Sequence, residues 1–213
     1  MSQNQIKWLA TLLMVIDHVG FVIESEPMRI IGRLSFPLFA WILAINWERR
    51  KGKSPKQLIR RLIVFGIVAQ IPYILLFTNL RLNVLISYGL TTIVFSEVHK
   101  LEGNKKIMAV IVGCLTAEII GVEYGWYSII CTLMMINFSG TGSKRWWISW
   151  TIVNILYCIT ARSYIQAFAI LTPVLLSRHD RKKDRKPTTI EKKFFYHFYP
   201  IHLAGLAALR TIL

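Results

Sequence analysis

Four ionisable side chains lie in the first two apolar stretches of the chain and could do chemistry there. Asp17 and His18 follow one another in the first stretch, and Arg29 and Arg33 stand one helical turn apart in the second. An ionised side chain at membrane depth costs about 2.5–3.5 kcal/mol on insertion scales, so four in one hairpin need partners or a function. The unperturbed pKa of histidine lies near neutrality, which suits a general base. Paired arginines offer planar forks of donors that bind anions.

Helical spacing determines which of these side chains can meet. Lys7, Thr11 and His18 share one face of the first helix, so His18 lies on a partly polar stripe. Asp17 lies about 100° round that helix, where it can pair with an arginine but is poorly placed to bond the adjacent imidazole. Two interpretations stay open: a functional anion site, or an Asp17–Arg33 ion pair that only pins the first helix to the second.

The elements that position these residues follow from composition. Apolar residues make up 54% of the 213 residues, and they occur in blocks, which is typical of polytopic membrane proteins. We predict an all-α fold, a polytopic transmembrane helix bundle of about 8–10 spans, some short or broken, forming a single integral membrane domain over residues 1–213. Nine apolar segments can be delimited, at about residues 6–23, 29–47, 58–77, 83–97, 107–121, 125–138, 146–160, 164–177 and 198–213.

The formal net charge of +15 is concentrated in alternate loops. Lysines and arginines cluster at 49–61, 100–106, 144–145 and 178–193, which the positive-inside rule assigns to the cytoplasm together with the N-terminus. We therefore predict a multi-pass protein of the cell inner or plasma membrane and no nucleic-acid partner. The segment 178–193 is either a solvated loop or a contact for anionic headgroups or a phosphorylated cofactor. The three cysteines lie in apolar segments without metal-binding spacing, so we expect no metal.

Polar groups also mark later segments. Asn83 begins the fourth segment, and the last segment opens with an aromatic stretch that contains Tyr199. Tyrosine at this position commonly anchors a helix at the membrane interface. His202, one turn inside the segment, is harder to explain as an anchor.

Several stretches of the chain resemble the TraX family of integral membrane proteins, and the resemblance runs nearly end to end. The stretches that carry it are residues 13–20, 29–40, 70–72, 83–85, 124–127 and 195–203. The family's named activity is N-terminal acetylation of conjugative pilin. It is grouped with the membrane acyltransferase superfamily, which moves acetyl groups from cytoplasmic acetyl-CoA to acceptors in or beyond the membrane.

The resemblance implies roles for individual residues. His18 corresponds to the catalytic histidine, and Asp17 to its supporting acid. Arg29 and Arg33 are implied to contact the cofactor or the oxyanion. By motif position, the implied cofactor-binding set is Arg29, Arg33, Asn83, Tyr199 and His202.

We therefore expect an acetyl-CoA-dependent transmembrane acyltransferase in which His18 takes a proton from an amine or hydroxyl acceptor. A pilin-like N-terminus, another extracytoplasmic group or a lipid-side group all suit as acceptor, and an acetyl-histidine intermediate stays open. The expected partners are the lipid bilayer and this acceptor, and the state of homo-oligomerisation is left open. Two alternatives remain: a small transporter or flippase, and a non-enzymatic assembly factor for a pilus or secretion apparatus.

Overall fold

The computed structural model of the chain describes residues 1–49, 54–138, 140 and 142–212. The basic residues Arg50, Lys51 and Lys53 lie outside the described residues. Across the described residues the regular structure is helical, with one isolated bridge between Leu82 and Val122 and no strand. The α-helices in this part are α1 (Gln3–Val22), α2 (Glu26–Gly32), α3 (Ser35–Glu48), α4 (Lys56–Phe77), α5 (Val84–Val98), α6 (Asn104–Ile120), α7 (Gly125–Ile136), α8 (Lys144–Ala161), α9 (Thr172–Leu176) and α10 (Thr189–Arg210). A 3-10 helix covers Tyr164–Leu171, a 3-10 turn covers Arg181–Lys183, and the predicted all-α fold is confirmed.

Three helical stretches within the described ranges are long and apolar enough to cross a membrane: Gln3–Val22, Glu26–Glu48 and Lys56–Phe77. The second is broken between α2 and α3, where the Leu34 amide bonds the Ile31 carbonyl in a tighter turn. Further apolar helices are shorter: Val84–Val98, Gly125–Ile136 and Tyr164–Leu176. The chain thus has the short and broken apolar helices that were predicted, while the number of crossings stays a prediction.

Many large apolar side chains are exposed on the helices, and on α6 the buried residues are small. On α6, Ile111, Leu115 and Ile119 are exposed, whereas Gly113 and Ala117 are buried. A helix on the surface of a soluble protein has the opposite pattern. Exposed apolar faces with small residues at the packing interface are typical of helices that face lipid.

The helices form two compact units, and each unit combines two separate stretches of the chain. The first unit comprises Met1–Ile45 and Cys131–Thr188, and the second comprises Asn46–Ile130 and Thr189–Leu213. That residues 1–213 act as one membrane domain stays a prediction.

In the first unit, α1 packs against α2 and contacts the start of α3. Its N-terminus carries a reciprocal capping box between Ser2 and Gln5, and the Ser35 hydroxyl at the start of α3 donates to the Ala10 carbonyl at 2.9 Å. The rod Tyr164–Leu176, made of the 3-10 helix and α9, packs against α2 and α8. Trp150 of α8 donates from its indole nitrogen to the Ile170 carbonyl at 3.1 Å.

In the second unit, α4 packs against α5 and α10. A Cβ atom added to Gly66 of α4 would lie 2.6 Å from Ile86 of α5, so these two helices approach closely. On the other side, Phe65 stacks on Tyr196 of α10, with ring centroids 5.0 Å apart.

Candidate functional site

An ion pair joins α1 to the start of the second span. The Arg33 guanidinium contacts both carboxylate oxygens of Asp17, and its Nε donates to Oδ1 at 3.2 Å. The side chains of Arg33 and Asp17 are only 12% and 10% exposed. Opposite charges this well buried interact strongly because little solvent screens them.

Glycines bring the backbone of α2 onto α1 at this point. A Cβ atom on Gly32 would lie 2.6 Å from the Cα atom of Asp17, and one on Gly20 would lie 2.6 Å from the Cβ atom of Met28. Neither position has room for a larger residue unless the helices separate. The close approach places the guanidinium of Arg33, the residue after Gly32, directly against Asp17.

A second guanidinium reaches the same carboxylate. The Nε atom of Arg29 lies 3.3 Å from Asp17 Oδ1, and the Arg29 side chain is 22% exposed. Its guanidinium carbon also lies 5.0 Å from the centre of the Phe21 ring, which adds a cation–π contact. Asp17 therefore pairs with two guanidinium groups, through hydrogen bonds to Arg33 and an ionic contact with Arg29.

His18 is buried next to this cluster, with 9% of its surface exposed. It follows Asp17 along α1 and is therefore turned about 100° from it. The hairpin thus holds an imidazole, which can accept a proton, and guanidinium donors, which stabilise negative charge, on neighbouring residues of the chain or its ion-pair partners. Asp17 contacts the arginines, as its position on the helix predicted. The catalytic roles of Asp17 and His18 stay predictions.

Asn83 is fully buried in the second unit, and its amide group is committed to the backbone. Its Oδ1 caps α5 by accepting from the Leu85 amide at 3.1 Å. Its Nδ2 donates to the Gly66 carbonyl at 2.7 Å and to Gln70 Oε1 at 2.8 Å. These bonds hold the start of α5 against α4, which accounts for an asparagine here. A cofactor contact by Asn83 stays a prediction.

Tyr199 and His202 lie near one another on α10, also in the second unit. The buried Tyr199 lies close to the backbone of Val84, the first residue of α5. The Nδ1 atom of His202 lies 2.9 Å from the Phe198 carbonyl, so this nitrogen carries the proton and Nε2 is the accepting one. The His202 ring stacks on Phe198, with centroids 4.9 Å apart.

The seven predicted site residues therefore fall into two groups. Asp17, Arg29 and Arg33 meet in the first unit, where His18 follows Asp17 along α1. The start of α5 joins Asn83 to Tyr199 in the second unit, with His202 three residues along α10.

Sequence reasoning missed a contact between the start of α1 and the basic segment. The Gln3 amide, at the first turn of α1, donates to Asp184 Oδ1 at 2.7 Å. His179 Nε2 lies 3.1 Å from the same oxygen, and its ring packs edge-on to Trp41, with centroids 4.8 Å apart. Asp184 thus caps a helix from 181 residues away and holds part of the basic segment against it. Nothing local in the sequence signals this contact.

Two buried polar residues of the rod Tyr164–Leu176 were also missed. Gln166 is 2% exposed and Thr172 is fully buried. Among the described residues, neither Gln166 Nε2 nor Thr172 Oγ1 has a hydrogen-bond partner. Their spacing of six residues in an apolar segment was a usable signal, because a 3-10 helix repeats every three residues.

No cluster of three or more His, Cys, Asp or Glu side chains that could hold a metal ion occurs in the described part of the chain. The cysteines Cys114, Cys131 and Cys158 are free thiols.

Comparisons with known proteins identify one family and several relatives. A family profile described as TraX protein matches residues 2–210. The chain is 31% identical to Protein TraX of Escherichia coli over 141 residues, which are 65% of this chain and 55% of that protein. It is 38% identical over 88 residues to Uncharacterized protein RP591 of Rickettsia prowazekii (strain Madrid E), covering 40% of this chain and 33% of that one.

A third relative aligns over the whole chain. Probable fimbrial assembly protein FimC, serogroup H1, of Dichelobacter nodosus is 23% identical over 251 aligned residues, covering 100% of this chain and 97% of that protein. The chain thus aligns with about half of Protein TraX and a third of RP591, but with nearly all of FimC. No solved structure gives a significant match.

Proposed function

Since the chain belongs to the TraX family of membrane proteins, we propose that it is a membrane acyltransferase that moves an acetyl group from cytoplasmic acetyl-CoA to an amine or hydroxyl acceptor. One observation carries the proposal beyond family membership: the buried cluster of Asp17, Arg29 and Arg33 beside His18. Acyl transfer needs a base for the acceptor and a cation for the oxyanion, and these residue types supply both.

In the proposed reaction, His18 takes the proton from the acceptor as its nitrogen or oxygen attacks the thioester carbonyl. The carbonyl oxygen becomes negative, and Arg33 or Arg29 stabilises it. The intermediate then collapses, the carbon–sulfur bond breaks, and the protonated His18 returns its proton to the leaving thiolate. Acetyl transfer through His18 itself is a second route to the same products.

Asp17 acts in this scheme by fixing the guanidiniums. Its two oxygens hold Arg33 in a forked contact and keep Arg29 within 3.3 Å. Donors that are already oriented need no reorganisation when negative charge develops, and this is where such catalysis gains most. The supporting role proposed for Asp17 is therefore to position the arginines.

Acetyl-CoA would arrive from the cytoplasmic side, where we propose that the N-terminus and the segment 178–193 lie. Contacts of Met1 with this segment favour a common side, since the Asp180 amide donates to the Met1 carbonyl at 2.8 Å. The exposed Lys182, Lys183 and Arg185 would attract the phosphates of the cofactor. Replacing all three by Gln should weaken CoA binding and its salt dependence, and unchanged binding would contradict this cofactor site.

The acceptor we favour is a pilin-like N-terminus, because the family resemblance implies it and because one relative is named Probable fimbrial assembly protein FimC. The alignment with FimC over the whole chain also favours a second candidate, a non-enzymatic assembly factor. If the protein is an assembly factor, His18 contributes to packing and does not act as a base.

The deciding experiment uses purified protein in lipid nanodiscs with acetyl-labelled acetyl-CoA. Wild type is compared with His18→Ala and with His197→Ala, a matched control at an exposed histidine. We expect label to move to an added amine, to protein or to water with wild type and His197→Ala only. Equal label transfer by His18→Ala would refute the role of His18. Absence of both CoA binding and transfer by folded wild type would favour the assembly factor.

A further inference from the structure

The rod Tyr164–Leu176 has an inverted pattern of polarity. Its buried face is formed by Gln166, Ala169 and Thr172, at the three-residue repeat of a 3-10 helix. Its exposed face is apolar and includes Phe168 and Leu171. The polar groups therefore point into the first unit and away from the surface.

Two donors on this buried face lack acceptors. Gln166 Nε2 and Thr172 Oγ1 have no hydrogen-bond partner among the described residues. A buried donor without an acceptor is unfavourable, and a membrane interior offers no bulk water to correct it. Ala169 lies between the two donors and is fully buried, so no large side chain separates them.

The backbone of the rod is also unusual. Its 3-10 part, Tyr164–Leu171, runs for eight residues, whereas such helices seldom exceed three or four. The hydrogen-bond geometry of a 3-10 helix is poorer than that of an α-helix, so a long 3-10 stretch is a place where the backbone is held less firmly.

The rod extends between the two places that an acetyl-CoA molecule would contact: the helix that carries Arg29, and the basic segment. At its start, the Tyr164 hydroxyl donates to Glu26 of α2, the helix that carries Arg29. Beyond its end, the basic segment is held to the start of α1 through Asp184 and Gln3.

The length of the rod agrees with the distance along α1 from Gln3 to His18. His18 lies 15 residues along α1 from Gln3, or about 22 Å at 1.5 Å per residue. Eight 3-10 residues at about 2.0 Å and five α-helical residues at about 1.5 Å give the rod about 24 Å. An extended ligand with phosphates at the basic segment and its thioester near His18 would run beside the rod.

We propose that the buried face of the rod is the subsite for the pantetheine arm of CoA, a subsite that rests on the proposed function. Gln166 Nε2 and Thr172 Oγ1 donate to the two amide carbonyl oxygens of that arm. The arm carries two amide carbonyl oxygens, which can accept from the two donors, together with two amide N–H groups and a hydroxyl. Binding removes two unfavourable buried groups at once.

The test measures binding of three probes to the protein in nanodiscs: CoA, pantetheine, and adenosine 3′,5′-bisphosphate, which lacks the arm. The variants are Gln166→Leu and Thr172→Val, which keep side-chain volume but delete the donor. Thr160→Val is the matched control, because Thr160 is exposed and donates to the Tyr157 carbonyl at 3.2 Å. Thr172→Ser, which restores a hydroxyl, is the rescue variant.

We expect Gln166→Leu and Thr172→Val each to weaken CoA and pantetheine about fivefold to tenfold, as for one lost hydrogen bond, and to leave the nucleotide unchanged. Both should raise the Tm of the ligand-free protein, because each removes an unsatisfied donor. Thr172→Ser should restore pantetheine binding, and Thr160→Val should change nothing.

Unchanged CoA and pantetheine binding in both variants would overturn the subsite while the proposed function stands. A lower ligand-free Tm with unchanged binding would also overturn it, because the donors would then serve the fold through bound water. No CoA binding by folded wild type would overturn the subsite together with the proposed function.

Discussion

Replacing Asp17 by Asn should strongly destabilise the first unit. The substitution removes the counter-charge of Arg33 and Arg29, whose side chains are 12% and 22% exposed. Removing one partner of a buried ion pair typically costs about 3–5 kcal/mol. For a chain of this size, 1 kcal/mol shifts Tm by about 2–4 °C, so we expect Tm to fall by about 6–20 °C.

The free-energy costs of the other substitutions in this cluster should follow a definite order. Arg33→Met leaves Asp17 in contact with Arg29 at 3.3 Å, so the cost should be smaller, about 1.5–3 kcal/mol. The double variant Asp17→Asn with Arg33→Met should lose less than the sum of the two, because each substitution alone leaves a buried charge behind. Its Tm should therefore lie above the additive value.

The assay is thermal unfolding in nanodiscs, followed by the fluorescence of the seven tryptophans. Glu97→Gln is the control, because Glu97 pairs with Lys100 but the two side chains are 57% and 63% exposed. Such a surface pair contributes about 0–1 kcal/mol, so the control should shift Tm by no more than about 4 °C. If the effects of Asp17→Asn and Arg33→Met simply add, or if Asp17→Asn matches the control, the buried cluster does not stabilise the hairpin.

Three further predictions concern packing and capping. Gly32→Ala should lower Tm because the added Cβ atom would lie 2.6 Å from the Asp17 Cα atom. Gly205→Ala is the control: open space surrounds Gly205 in α10, so this substitution should raise Tm slightly. A fall in Tm for both variants would contradict the close-packing argument. Asn83→Ala should cost about 2–4 kcal/mol in unfolding experiments by removing a cap and two buried bonds. Asn83→Ser, which keeps a capping oxygen without adding a charge, should cost less, and equal losses would show that the cap is not what matters. Asp184→Ala should speed tryptic cleavage within residues 178–188, because it removes the bond to the Gln3 amide. Asp180→Ala, which removes only a local bond to the Lys182 amide, should speed this cleavage less. An unchanged cleavage rate in Asp184→Ala would show that Asp184 does not hold this segment.

Much of the fold was predictable because hydropathy is a local property of the chain. The apolar segments at 58–77 and 83–97 agree closely with α4 and α5. The segment at 29–47 is correct in extent, but the structure divides it into α2 and α3. The break occurs at Arg33 and Leu34, and hydropathy cannot reveal it because apolar residues continue on both sides.

The candidate site was predictable in part for the same reason. The spacing along α1 indicated that Asp17 would pair with an arginine, and the structure places both arginines against it. The sequence analysis named Asp17–Arg33 as the possible ion pair, and it did not predict that Arg29 also contacts Asp17. That second contact depends on how α2 crosses α1, and that geometry is determined by the close contacts at Gly20 and Gly32.

By itself, the sequence determined the all-helical class, the approximate extent of most apolar helices and the identity of the ionisable residues in the first two apolar segments, since each depends on residue type and short-range spacing. Only the tertiary structure decided which polar groups have partners. Asp184 caps α1 from 181 residues away, and Asn83 is committed to the Gly66 backbone. Gln166 and Thr172 have donors with no acceptor in the described part of the chain. The physical reason is that a hydrogen bond requires its two atoms to lie about 3 Å apart with suitable geometry. When the two residues are far apart in the chain, helix packing alone brings their atoms to that distance.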